Sequence, residues 1–141
     1  MGDGAKAKAL YADIHQEYQA AVHERPGDWD RHLALGLAAA GLGLKDEAIS
    51  EGRHSTELLP ISRDAFAGPE YVAYLAEIYV RVGENDQAIA LLQQLMAIPA
   101  GLVMSPALLR LDPVWDPLRG DARFQKLANE GEPAGVSTPK P

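Results

Sequence analysis

The chain has 141 residues, 47% hydrophobic and 6% aromatic, with a net charge of −7 (13 Lys and Arg against 20 Asp and Glu) and no cysteine. That length supports one domain with a real core, and the negative balance argues against nucleic acid, which needs a basic stripe to neutralise phosphates. The lack of cysteine excludes disulfides, thiol nucleophiles, iron–sulfur clusters and cysteine-based zinc sites.

The start, "MGDGAKAKAL", has no apolar signal core, and Lys6 stands where a myristoylation motif needs Ser or Thr. The most apolar run, "LALGLAAAGLGL" (33–44), is roughly half of what a membrane span needs. The reading is a soluble, cytoplasmic protein with no membrane partner.

Residues 5–24 predict an amphipathic helix, with Leu10, Ile14, Tyr18, Ala21 and Val22 on one stripe. "RPGD" (25–28) stops it, and Asp28 can cap the next helix, Trp29 to Leu42. That helix is apolar nearly all round, so it should be central and buried. Gly41 and Gly43 end it. A third helix spans Lys45 to Leu59, closed by Pro60, and "PISRDAFAGP" (60–69) reads as a loop. A fourth spans Pro69 to Val82 and a fifth Asn85 to Ala97, closed by Pro99. Ser105-Pro106 opens short helical pieces that continue to Glu130. The Pro/Gly-rich tail 131–141 has the composition of a disordered segment. No stretch alternates with period two, so the fold class predicted is all-α.

Two of these stretches repeat. "LGLAAAGLGLKDEAI" (35–49) aligns with "LAEIYVRVGENDQAI" (75–89) at a constant offset of 40. Leu35 pairs with Leu75, Gly36 with Ala76, Gly43 with Gly83, and Ala48-Ile49 with Ala88-Ile89. Small residues at 36/76 and 48/88 let two antiparallel helices approach, and glycine at 43/83 makes the turn.

This pattern resembles the tetratricopeptide repeat (TPR), a helix–turn–helix unit of about 34 residues. The resemblance implies a solenoid of about two and a half units over residues 5–130. The repeats are 29–60 and 69–99, with a preceding half-repeat at 5–26 and a capping segment at 105–130. The departures are Ala39 and Gly52, where the family favours aromatics, which implies a thinner core in the first repeat. The longer offset is absorbed by "ISRDAFAG". The whole also resembles the C-terminal repeat portion of certain large bacterial signalling proteins, which carry a kinase-like or DNA-binding regulatory module. This chain has no kinase Gly-rich loop, no His-Arg-Asp and no Asp-Phe-Gly, so it would be the repeat portion alone.

The residues that could carry chemistry have simpler roles. Asp112, Asp116 and Asp121 cluster in "LDPVWDPLRGDARF" (111–124), but each precedes a possible helix start, and the spacing does not fit a calcium loop. Leu111, Trp115 and Leu118 recur at helical spacing and should pack this segment on the last repeat. His15, His23, His32 and His54 include no pair four apart, as helical zinc ligands would be, and are read as surface or partly packed. "GLAAAGLGLK" (36–45) lacks the Gly-Lys-Ser/Thr of a phosphate loop. No serine sits in a Gly-x-Ser-x-Gly elbow. Glu70, Glu77 and Glu84, seven apart, read as a solvated stripe. No cofactor, no metal and no enzymatic activity are expected.

What remains is surface. In the TPR family the first helix of each repeat lines a groove for peptides or partner helices. By register, the resemblance places Asp30, Leu33, Leu37, Ala40 and Gly41 there from the first repeat. Glu70, Ala73, Glu77, Val80 and Arg81 come from the second. The lysine and asparagine with which chaperone-binding members clamp a C-terminal carboxylate are absent from these positions. An amphipathic, somewhat basic partner segment suits such a groove, unless the chain's own ends pack that face. The expectation is a non-catalytic interaction scaffold. The alternative is a regulatory or self-associating appendage of a larger bacterial signalling enzyme, the second case giving a homo-oligomer.

Overall fold

A computed structural model describes residues 2–98 and 103–130. The tail 131–141 and Pro99, expected to be disordered and to close a repeat, lie outside the described residues. The elements are α1 (Gly2–Glu24), α2 (Trp29–Gly41), α3 (Lys45–Leu58), α4 (Gly68–Arg81), α5 (Asn85–Met96), α6 (Pro106–Leu111), a 3-10 helix η1 (Pro113–Leu118) and α7 (Ala122–Asn129). The described residues are all-helical with no strand, and each long helix packs on its chain neighbours.

The two helix pairs close on one turn chemistry. Gly43 and Gly83 adopt φ of 75° and 83°, a region that costs glycine nothing. The Leu44 N–H donates to Ala39 O at 2.9 Å and the Gly43 N–H to Ala40 O at 3.1 Å. Forty residues on, Glu84 donates to Tyr79 O at 2.8 Å and Gly83 to Val80 O at 3.1 Å. Both are Schellman caps, which satisfy carbonyls that a helix end would otherwise strand. The entry to α2 is capped as its sequence predicts, with Asp28 Oδ1 accepting the Arg31 N–H at 3.3 Å.

Helices α2 and α3 pack through small residues. Ala48 is fully buried, and a Cβ added at Gly36 would lie 3.0 Å from Gly52 N and 3.2 Å from Ala48 O. Ser55 Oγ adds a buried bond to Trp29 O at 2.8 Å. The thinner core expected at Gly52 is not found. A Cβ there would meet Ile78 Cδ1 at 2.8 Å, because α4 pushes Ile78 and Leu75 into the space an aromatic would take. Ile78 therefore joins Leu33, Ala39, Ala40 and Ala48 in one core cluster. The larger cluster gathers α4, α5, α6, η1 and α7 around Trp115.

The expected stripe of α1 is only half-buried. None of its side chains is buried, and Leu10 is 59% exposed. The helix is held instead by specific contacts. Tyr11 lies where a side chain at Gly41 would stand, and the Arg31 guanidinium donates to Ala21 O at 2.9 Å.

The C-terminal segment corrects two assignments. Ser105, Asp112 and Asp121 do cap, accepting the N–H of Leu108, Val114 and Arg123. Asp116 does not start a helix. It lies inside η1, which the second proline leaves intact, and its carboxylate takes Arg119 Nε at 2.6 Å. The same guanidinium reaches Leu109 O and Asp112 O, at 3.3 and 3.1 Å, and so staples α6 to η1. Leu111 does not pack inward either. It is 77% exposed, and Leu109 is the fully buried leucine of α6.

Asp121 carries an acid-sensitive contact. Side-chain and backbone hydrogen bonds from Arg123 hold its carboxyl down at about 2. An unfolded aspartate titrates near 3.9, so this contribution is complete above about pH 4 and is lost as pH falls towards about 2. Urea titrations of Asp121→Asn at fixed pH should show a flatter loss of stability across that window, and the difference should shrink in salt. An unchanged slope would refute the contact.

Candidate functional site

The groove residues expected from the first repeat do not form an open surface. Leu33 and Ala40 are buried in the α2–α3–Ile78 cluster, and Leu37 packs against it together with Tyr71 and Tyr74 of α4 and Val82 just after it. Asp30 is exposed but engaged, because Tyr71 Oη donates to its carboxylate. Burial, and then that bond and the charge of Asp30, push the Tyr71 phenol up to about 12, so it remains a donor across the physiological range. This hydroxyl ties the start of α4 to the start of α2.

The second repeat's residues divide. Val80 is buried, in the Trp115 cluster. Arg81 is exposed and reaches back to α1, donating to Tyr11 Oη at 3.4 Å. Glu70, Ala73 and Glu77 come together. They line one wall of a cleft of about 540 Å³ between α4 and the C-terminal segment. The opposite wall is Val103, Met104, Leu108, Asp112 and Trp115, with Phe66 and Tyr74 completing the α4 side. Its volume is within the range of sites that take a ligand or a side-chain anchor.

Each wall has a local cause. Residues 60–67 are a run of turns in which Asp64 Oδ1 accepts the N–H of Phe66 at 2.9 Å and of Ala67 at 2.8 Å. That bend leaves Phe66 82% exposed at the cleft's edge. Gly68 can start α4 there because a Cβ would lie 2.8 Å from the Ile61 Cα. On the other side the Ser105 cap orients α6, so that Leu109 faces the core and Leu108 stays 47% exposed. The C-terminal segment thus covers part of the α4 face and leaves the cleft beside it.

The cleft is apolar in the middle and acidic at the side. Glu70, Glu77 and Asp112 contribute carboxyls, and no Lys or Arg is among the described residues that line it. The seven-residue glutamate series is therefore not a uniform solvated stripe. Glu84 pairs with Lys45, Glu70 is exposed, and Glu77 is half-buried. Burial pushes the Glu77 carboxyl above the usual carboxylate range. Arg81 partly opposes this and Asp112 adds to it.

The histidines depart from expectation at one position. His32 is buried, not at the surface, with Nδ1 at 2.5 Å from Glu51 Oε2 and Nε2 at 2.8 Å from Pro26 O. The ring of His54 stands edge-on to it at 4.4 Å. Both ring nitrogens of His32 face oxygen acceptors, a satisfied structural arrangement that anchors the loop before α2. His15 bonds Glu47 at 3.0 Å and joins α1 to α3. Among the described residues no group of three or more His, Cys, Asp or Glu could hold a metal ion. Among them, too, no helix is long and apolar enough to cross a membrane.

Phe66, Tyr74, Met104, Leu108 and Trp115 were not among the groove residues read from the sequence. The signal available was the "LL" of α6, where one leucine must face out whenever its neighbour faces in. No family model matches this chain, and comparisons with curated proteins and with solved structures likewise return no match.

Proposed function

We propose that the chain is a non-catalytic, TPR-like helical-repeat adaptor that captures a partner protein through a short segment. The observation that carries this reading is the cleft between α4 and the C-terminal segment, with its exposed Phe66 and Leu108 beside a half-buried wall. Apolar side chains held in the open by a rigid scaffold are what a partner's anchor residues need. The repeated helix–turn–helix with its duplicated Schellman turn supports the TPR-like part of the reading.

The experiment must spare the core, which rules out charged substitutions at Leu37 or Val80, since both pack inside. Phe66→Glu combined with Leu108→Asp alters only exposed positions, so circular dichroism and the melting temperature should be unchanged. Immobilised wild-type protein should retain a partner from native lysate, and the double variant should retain at most about a tenth of it, since two interface anchors together exceed about 1.4 kcal/mol. Equal retention by the two proteins would remove the cleft from the function.

A further inference from the structure

We infer that the cleft receives an arginine side chain of the partner segment, its guanidinium meeting Glu77, Asp112 and Glu70 and its apolar neighbours resting on Phe66 and Leu108. This rests on the adaptor reading and names the chemistry that the same cleft would select.

The argument starts from Glu77. Its carboxyl is half-buried, yet among the described residues it accepts no hydrogen bond and forms no ion pair within bonding distance. Asp112 uses one oxygen on the Val114 N–H at 3.0 Å and among the described residues has no partner for the other, and Glu70 stands exposed on the same wall. Removing a carboxylate from water without a donor costs free energy, and the charge of Asp112 raises that cost. The fold tolerates this arrangement where an uncharged residue would be easier to hold. A cation entering the cleft supplies the missing donors and cancels the repulsion, so the electrostatic penalty of the free protein becomes selectivity in the complex.

Arginine fits better than lysine. A guanidinium presents a planar fork of donors that can serve two carboxylates together, and it stacks on aromatic faces while shedding water more readily than an ammonium does. Phe66 and Tyr74 supply aromatic surface on the wall that carries Glu70 and Glu77. Arg81 offsets part of the Glu77 charge but makes no hydrogen bond or ion pair with it, since its guanidinium reaches towards Tyr11 at 3.4 Å.

The test uses the full chain and a random peptide library displayed on phage. Selected peptides should carry an arginine flanked by aliphatic residues. A synthetic peptide from that set should bind about tenfold to a hundredfold more weakly when citrulline replaces the arginine, the size expected for losing charge-assisted bonds. Binding to Glu77→Gln should weaken similarly, while Glu57→Gln on α3 should bind as wild type. The melting temperature of Glu77→Gln at neutral pH should not fall. A carboxyl whose folded value is raised favours the fold only while protonated, so removing its charge removes a penalty. Binding should also weaken as the solution is acidified and Glu77 takes up its proton. Peptides that need Leu108 but bind equally with citrulline or lysine would overturn the arginine inference and leave the adaptor reading standing. No enrichment, or binders indifferent to both Leu108→Asp and Glu77→Gln, would overturn both.

Discussion

Trp115→Ala should cost the fold about 3–5 kcal/mol, the usual range for deleting a buried aromatic. Trp115 is 2% exposed and is the largest of the fully buried side chains. It packs with Leu92 and Leu95 of α5, Leu109 of α6 and Phe124 of α7, so it is where the C-terminal segment meets the second helix pair. Its backbone lies in a short 3-10 helix pinned by Arg119, which limits how far η1 can collapse into the vacated space. A domain of this size is stable by about 5–15 kcal/mol in total, so the loss would be a large share. Urea denaturation followed at 222 nm would measure it, and a loss below about 1 kcal/mol would show that the segment is not part of the core.

Gly36→Leu should destabilise by about 2 kcal/mol or more, although leucine is intrinsically the better helix former by close to 1 kcal/mol. Packing decides the sign. The first atom of any side chain at 36 already lies 3.0 Å from Gly52 N and 3.2 Å from Ala48 O, and both are backbone atoms that no rotamer change can move. The remaining carbons must then drive α2 away from α3, across a pairing built on small residues. Differential scanning calorimetry should show a clearly lower midpoint, and an unchanged one would mean that the two helices separate at little cost.

The long helices and the duplicated turn were legible because their determinants are local. Glycine at 43 and 83, prolines beyond the helices and an offset of 40 each constrain the backbone within a few residues. The cleft was not legible, because it depends on which way side chains turn in three dimensions. In "PALLRL" the period allows either Leu108 or Leu109 to face the core, and only the Ser105 cap and the packing of α6 against α7 settle the choice. Asp116-Pro117 looks like Asp112-Pro113 in sequence, yet only the first pair caps, since Arg119 draws the second aspartate to itself. Glu77 resembles its neighbours at 70 and 84 until η1 packs on α4 and sets Asp112 in the same cleft. His32 is buried because Glu51 and Pro26 sit at its two nitrogens, contacts that residue spacing cannot reveal. Leu10 erred in the other direction, since a periodic stripe shows what a helix could bury and not whether a neighbour is there to bury it.

The two core clusters exchange one isoleucine each. Ile78 belongs to α4 but packs among the residues of α2 and α3, and Ile49 belongs to α3 but packs against the Trp115 cluster. Neither helix pair can open without stripping an apolar contact from the other. A stack of repeats with independent interiors would melt in stages, unit by unit, in the manner of a one-dimensional chain. Here the crossed pair raises the cost of a boundary between a folded half and an unfolded one, so the molecule favours all or nothing over the half-open states in which an acidic, partly apolar chain is most exposed to proteolysis.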